Sequence, residues 1–308
     1  MTRPPLTFVY IVEPPDYQIM ACMLLASIRE NFPADVQAIG YCPEHRMAEL
    51  HPAVFRAHEM LGAEIRPMRT EGMWDSPYPH GNKIIAAMQP RDSEYSAFVD
   101  SDVLFLEPNS PAALTRAGHV SCSAAASMNW GEQSVWDRIW GTFGMEVPAE
   151  RIRLMRRTRQ EVVPYFSAGL VVFPEDPGPG GRFPDVWYDT ARRLDRESDL
   201  EHRRPYLDQM TLPVAIRRAG LGWNILPEEQ HYILGGLMRG KTLPEGRLIH
   251  TVHYRNDKVL REVGLTRRGR AMLRRHLGVD YVRRLVPDAP QARAEEGAPE
   301  QGLTGQEE

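Results

Sequence analysis

Apolar and polar positions along the chain fall into two alternating kinds of segment. Leu6-Thr-Phe-Val-Tyr-Ile-Val12 is a short apolar run, β-branched and aromatic, of the sort that becomes a strand buried on both faces. Glu13, Pro14, Pro15 and Asp16 end it, and Tyr17 to Asn31 then has helical composition up to Pro33. Val36 to Cys42 repeats the strand pattern, Glu44 to Leu61 the helical one, and Gly62 to Pro67 turns into a third strand. This strand–helix rhythm predicts a doubly wound α/β sheet. Arg69 to Gly81, rich in Trp, Tyr, Pro and Gly, reads as a loop. Asn82 to Met88 reads as a helix stopped at Pro90, Tyr95 to Val99 as a strand, and Val103 to Leu106 as its continuation. Val162 to Phe173 is one further strand-like run. Asp185 to Arg196 and Tyr206 to Ala219 are helical, Trp223 to Leu226 and Arg247 to Tyr254 are late strands, and Leu260 to Leu285 is a basic helical region. No repeat or linker interrupts the series. The expectation is one αβα domain over residues 5–286, with a mixed, mainly parallel sheet, and a disordered acidic tail over 287–308.

Composition narrows the function classes. A chain of 308 residues with 42% hydrophobic and 25% charged positions can build a core without disulfide or metal. The net charge is −4; the tail carries six acids against Arg293, a net −5, which leaves +1 for residues 1–286. A near-neutral body argues against nucleic acid as a partner. Cys22, Cys42 and Cys122 are too few and too scattered for a disulfide framework or zinc site, and read as reduced structural thiols. No signal sequence is expected, and no apolar stretch reaches the roughly 18 residues of a membrane helix. The expected setting is cytoplasmic, with a peripheral position at the inner membrane face left open. Two arginine-rich stretches, Arg151 to Arg159 and Arg267 to Arg284, read as solvated helix faces or as attractors of an anionic acceptor or lipid. Trp136 and Trp140, four apart, share one helix face and read as core, whereas Trp74 and Trp130 lie in loops where they can stack on a sugar.

The sharpest local signal is Phe98-Val-Asp-Ser-Asp-Val-Leu-Phe105. In extended backbone, positions i and i+2 share a face, their Cα atoms about 6–7 Å apart. Two carboxylates so placed can share one hard divalent cation, Mg²⁺ or Mn²⁺, which also takes substrate phosphates. They fall at the carboxyl end of a strand, where open α/β sheets bind ligands. Capping a turn is the structural alternative, but burying two unpaired acids is costly without a cation.

Asp100-Ser101-Asp102 after an apolar strand resembles the D-x-D motif of GT-A fold, nucleotide-sugar-dependent glycosyltransferases, and the order of the other segments resembles glycosyltransferase family 8. Asn82-Lys83 is similar to that family's basic helix, Tyr165-Phe-Ser-Ala-Gly-Leu-Val-Val-Phe173 to its F-N-A-G strand, Tyr206-Leu-Asp-Gln209 to its D-Q helix start, and Leu248-Ile-His250 to its late strand ending in a metal-binding histidine. The likeness spans about residues 6–258. It implies a GT-A-like αβα fold, a nucleoside-diphosphate sugar as donor, a UDP-sugar first among them, Mn²⁺ or Mg²⁺, and a glycan, lipid-linked or protein acceptor. It implies metal ligation by Asp100, Asp102 and one of His250 and His253. These histidines are three apart on a strand and point to opposite faces, so one of them at most ligates, with His250 preferred. It further implies donor binding by Lys83, Asp100 and Ser101, by the small residues Ser167, Ala168 and Gly169, and by Tyr17 stacking on the base. Tyr10 and Val12 sit where the opening strand meets the base, although core packing suits them better. Asp208 and Gln209 are implied beside the anomeric carbon. Ser167 departs from the family's Asn, and the H-x-x-G-x-x-K-P segment is replaced by His250-Thr-Val-His253-Tyr-Arg-Asn-Asp-Lys258.

Three other readings fit less well. A phosphatase of the haloacid dehalogenase type also carries D-x-D after a strand, but Leu104 occupies its Thr position. A nucleotidyltransferase would carry a Gly-rich basic loop where Glu13 to Tyr17 stands. A non-catalytic nucleotide-sugar-binding protein is separated from an enzyme only by assay.

Overall fold

A computed structural model of the chain describes residues 3–128, 131–155, 160–197, 200, 203–234 and 243–286; the tail assigned to 287–308, and Trp130, lie outside the described residues. In chain order come β1 (Leu6–Ile11), α1 (Tyr17–Asn31), β2 (Gln37–Pro43), α2 (Pro52–Met60), β3 (Glu64–Met68), α3 (Asn82–Met88) and β4 (Tyr95–Val99). Next are β5 (Val103–Phe105), α4 (Pro111–Leu114), β6 (His119–Ala124), α5 (Val135–Gly141), β7 (Ile152–Arg153), β8 (Glu161–Val162) and β9 (Phe166–Pro174). The series closes with α6 (Phe183–Asp195), α7 (Leu207–Arg218), β10 (Gly222–Ile225), β11 (Tyr232–Ile233), β12 (Thr251–His253), α8 (Asp257–Glu262) and α9 (Thr266–Leu277).

Seven strands form the main sheet in the order β10-β6-β9-β4-β1-β2-β3, with β9 antiparallel to both its neighbours and the remaining pairs parallel. Strand alternation feeds two cores. Leu6, Phe8, Tyr10 and Val12 face the side covered by α1, α2 and α9, while Val9 and Phe98 face α3, α5, α6 and α7. Where the expected helix 44–61 should run unbroken, Pro52 intervenes. A residue before proline avoids the helical region, and His51 is extended (ψ 134°), so a 3-10 turn over Glu44–Glu49 ends there and α2 starts afresh with His51 Nδ1 capping the Ala53 amide at 3.1 Å.

Two details of the sheets build the site. β9 is not the single run expected over 162–173, because β8 is a separate piece paired with β7. Between the pairs Cys122↔Val171 and Ala124↔Phe166, β6 advances two residues while β9 advances five. The surplus falls on Ser167-Ala168-Gly169, a bulge that reverses side-chain parity, so that Phe166 and Ala168 join the same core as Val171 and Phe173. Second, β5 does not extend β4. It turns at Asp100 into a small sheet of order β11-β12-β5, where antiparallel register sets His253 opposite Val103 and Thr251 opposite Phe105. The arginine stretch 151–159 is not a helix face where it is described: Ile152–Arg153 is a strand and Arg153 pairs with Glu161. Among the described residues no helix is long and apolar enough to cross a membrane.

Candidate active site

The β4–β5 turn carries Asp100, Ser101 and Asp102 into a cleft of about 340 Å³ at the carboxyl ends of β1 and β4. The turn is tied on three sides. The Asp100 amide donates to the Gly169 carbonyl at 2.9 Å, the Ser101 hydroxyl donates to the Ile11 carbonyl, and the Asp102 carbonyl accepts from the Tyr254 amide at 2.9 Å. The last bond draws in the end of β12. His253 Nε2 lies 3.2 Å from Asp102 Oδ1 and 3.8 Å from Asp100 Oδ2, and one donor atom from each of the three residues falls within 4.8 Å of the others.

Lys83, in the first turn of α3, faces this group from the other side. Its Nζ is 3.1 Å from Asp100 Oδ1 and 3.0 Å from Asp208 Oδ2 at the start of α7. Burial opposes its charge, yet the carboxylates of Asp100 and Asp208 hold its pKa above the ordinary lysine value. Burial and the neighbouring Asp102 push the Asp100 carboxyl up, despite Lys83. Burial pushes Asp102 in the same direction, but His253 outweighs it and keeps Asp102 low. Burial likewise disfavours a charged His253, and Asp102 and Asp100 reverse that and raise it. Asp100, Asp102 and Asp208 set three carboxyl groups around Lys83 in a largely buried space, an oxygen-rich lining that suits a divalent cation. Asp208 Oδ1 and His253 Nδ1 have no hydrogen-bond partner among the described residues.

Most of the residues singled out in the sequence converge here. Tyr17, Lys83, Asp100, Ser101, Asp102, Asp208 and Gln209 line the cleft with His253. Ser167, Ala168 and Gly169 line an adjoining cavity of about 180 Å³, which shares Lys83, Asp100, Gln209 and His253 with it. Four do not converge. The preference for His250 is corrected to His253: His250 precedes β12, its carbonyl accepts from Leu106 and its Nδ1 is 3.2 Å from the Pro108 carbonyl, at the far end of the β5–β12 pair from Asp102. Tyr10 and Val12 are fully buried in the α1-side core, as strand parity requires, with the Tyr10 ring 5.9 Å from that of His58. Their side chains therefore do not face the cleft. Trp74 is also buried, edge-on to Tyr78 and Tyr188, and lines a separate cavity rather than this cleft.

Four residues of the site escaped the sequence. Glu13 lines the cleft, paired to Arg46 at 3.0 Å, and His80 lines it from the loop before α3. Arg255 lines both cavities with a positive φ of 67° and no ion pair among the described residues; its sole sequence signal is its place two residues after His253. His231, fully buried, has its ring 5.2 Å from that of His253, and burial, then the charge of His253, push its pKa well below the ordinary histidine value. Only the fold brings it here.

Comparison with known proteins identifies the family and the fold. Residues 8–220 match the family model described as Rhodobacterales glycosyltransferase domain. The crystal structure of mouse xyloside xylosyltransferase 1, apo form, superposes with a TM-score of 0.51 at 9% identity, covering 83% of this chain and 99% of that one. That likeness shows the fold, the GT-A fold of glycosyltransferases. A galactosyltransferase LgtC structure in complex with donor and acceptor sugar analogues gives a TM-score of 0.48 at 14% identity, covering 86% and 94%. A comparison with curated proteins finds no match.

Proposed function

The chain belongs to the Rhodobacterales glycosyltransferase domain family, and from that premise we propose that it moves a sugar from a nucleoside-diphosphate donor, a UDP-sugar first among them, to a hydroxyl acceptor in the cleft around Asp100, Asp102 and His253. The single observation carrying this reading is the convergence of two carboxylates and an imidazole within 4.8 Å, beside a buried lysine. The two carboxylates suit Mn²⁺ or Mg²⁺, and of the two the imidazole nitrogen suits Mn²⁺ better. Asp100, Asp102 and His253 would hold it. When bound, the ion supplies a Lewis acid for the departing diphosphate.

The chain's own residues do the rest. Lys83 holds Asp100 and Asp208 apart in fixed positions and keeps its charge throughout. Asp208 lines the cleft where a sugar hydroxyl would meet it, and Gln209 stands at the junction of the two cavities, beside the reacting carbon. The Arg255 guanidinium, without a carboxylate partner among the described residues, is available to the diphosphate. Tyr17, 46% exposed, offers a ring at the cleft mouth for the base. Ser101 joins the D-x-D turn to the end of β1 and backs the donor site. Residues 5–286 act as one catalytic domain, and the three buried free thiols Cys22, Cys42 and Cys122 fit a cytoplasmic setting.

The test is nucleotide release from a panel of UDP-, GDP- and ADP-sugars, with Mn²⁺ and with chelator. Metal-dependent release from at least one donor is expected. A folded chain that neither turns over nor is thermally stabilised by any of them refutes the reading, since a donor at 100 times its Kd should add about 2.7 kcal/mol.

A further inference from the structure

Ser167, on the bulge of β9, is 6% exposed, and its Oγ has two close neighbours. The Gly169 amide donates to it at 3.3 Å, and His231 Nε2 lies 3.3 Å away. The other ring nitrogen of His231, Nδ1, is buried and has no partner among the described residues. Two tautomers fit this contact, and they are not equivalent. With the ring proton on Nδ1, a buried N–H is left without an acceptor, which folded proteins rarely tolerate. With the proton on Nε2, the bare Nδ1 is an unfilled acceptor, the milder deficit, and His231 donates to Ser167. A hydroxyl has one proton and two acceptor positions. Gly169 and His231 then fill both acceptor positions, and the Ser167 proton has only the 180 Å³ cavity to turn to.

We propose that His231 is a positioning residue that fixes Ser167 as a hydrogen-bond donor into the smaller cavity, so that the substrate atom meeting Ser167 is an acceptor oxygen of the transferred sugar, a hydroxyl or carbonyl oxygen rather than an ammonium group. The substrate half of this inference rests on the reading of the cleft as a sugar-nucleotide site; the tautomer does not. An amide side chain at this position would accept as well as donate. A serine held in this way only donates, and it discriminates against a donor lacking the oxygen, because its own proton would be left unpaired.

The tautomer is read by ¹⁵N-histidine NMR on the ligand-free full chain, with His231→Gln used to assign the signal. Protonation at Nε2 is expected, and an Nδ1–H tautomer overturns the proposal. The substrate half is read by steady-state kinetics with whichever sugar nucleotide of the panel the wild type turns over fastest. Ser167→Ala and His231→Phe should each raise the donor KM by roughly tenfold with kcat within about twofold. The double variant should be no worse than Ser167→Ala alone, and His231→Gln, which keeps an N–H donor, should hold the wild-type KM. Additive effects, or a His231→Phe variant that loses thermal stability with an unchanged KM, overturn the proposal. A wild type inactive on every donor refutes the functional reading and the substrate half together, and the NMR result then decides the tautomer alone.

Discussion

Adding one methyl group at Gly169 tests the geometry behind the metal site. A Cβ there would lie 2.7 Å from both Cε1 and Nδ1 of His253 and 3.1 Å from Asp100 Oδ2. Unbonded carbon atoms settle about 3.5–4.0 Å apart, so the imidazole must retreat by roughly 0.8 Å. Gly169 is not among the glycines with positive φ, and the cost is therefore steric rather than conformational. Retreat is difficult, because His253 is held in register opposite Val103 and its ring already lies against that of His231. Overpacking of this kind costs about 1–3 kcal/mol, and metal–ligand distances tolerate only about 0.2 Å. The Gly169→Ala chain is therefore expected to fold, to melt a few degrees lower, and to bind Mn²⁺ at least tenfold more weakly. Binding is read from the electron paramagnetic resonance signal of free Mn²⁺, and folding from circular dichroism on the same sample. A folded variant with wild-type Mn²⁺ affinity would show that His253 takes no part in the site.

Replacing His253 with Ala should weaken Mn²⁺ binding by about tenfold or more, whereas His250→Ala should leave it unchanged; the same titration distinguishes them. Lys83→Met leaves Asp100 and Asp208 buried without their cation, a loss of about 3 kcal/mol or more in the metal-free chain, and Mn²⁺ should recover part of it in a thermal melt. His58 predicts a pH dependence away from the site. Burial lowers its pKa from 6.5 to about 4, so the unfolded chain binds the proton more readily between those values. The stability it contributes is present above pH 6.5 and is lost as pH falls towards 4, a total of about 3 kcal/mol. Urea unfolding across that range should show this slope, and His58→Phe should flatten it; an equal slope in the variant would assign the effect elsewhere.

Where the chain announces itself locally, the sequence was readable. α1, α3 and β4 begin and end at the residues expected, because proline, glycine or a polar break marks each boundary and the apolar runs between are long. β6 escaped, although it lies inside the main sheet and His119-Val-Ser-Cys-Ser-Ala124 alternates polar and apolar positions, because its apolar members are mostly small and its serines, buried between β9 and β10, read in sequence as loop residues. The D-x-D pair was visible because both acids lie on one strand end. The histidine that joins them was not decidable by spacing, since His250 and His253 sit in equivalent apolar contexts. Only the antiparallel pairing of β12 with β5, and its register, brings one of them to Asp102. Glu13, His80, His231 and Arg255 reach the site from four separate loops, and no local pattern links them.

The account turns on Asp102, the carboxylate at the head of β5 that pairs with His253 at 3.2 Å. The decisive measurement is Mn²⁺-dependent release of nucleoside diphosphate by wild type and Asp102→Asn, with circular dichroism on the same preparations. The variant keeps the shape of the side chain and removes its charge, and the loss of one electrostatic contact of this kind typically costs about 10²–10³ in rate. A folded Asp102→Asn chain with turnover reduced to that extent is the expected result; a folded variant with wild-type, metal-stimulated turnover would contradict the account.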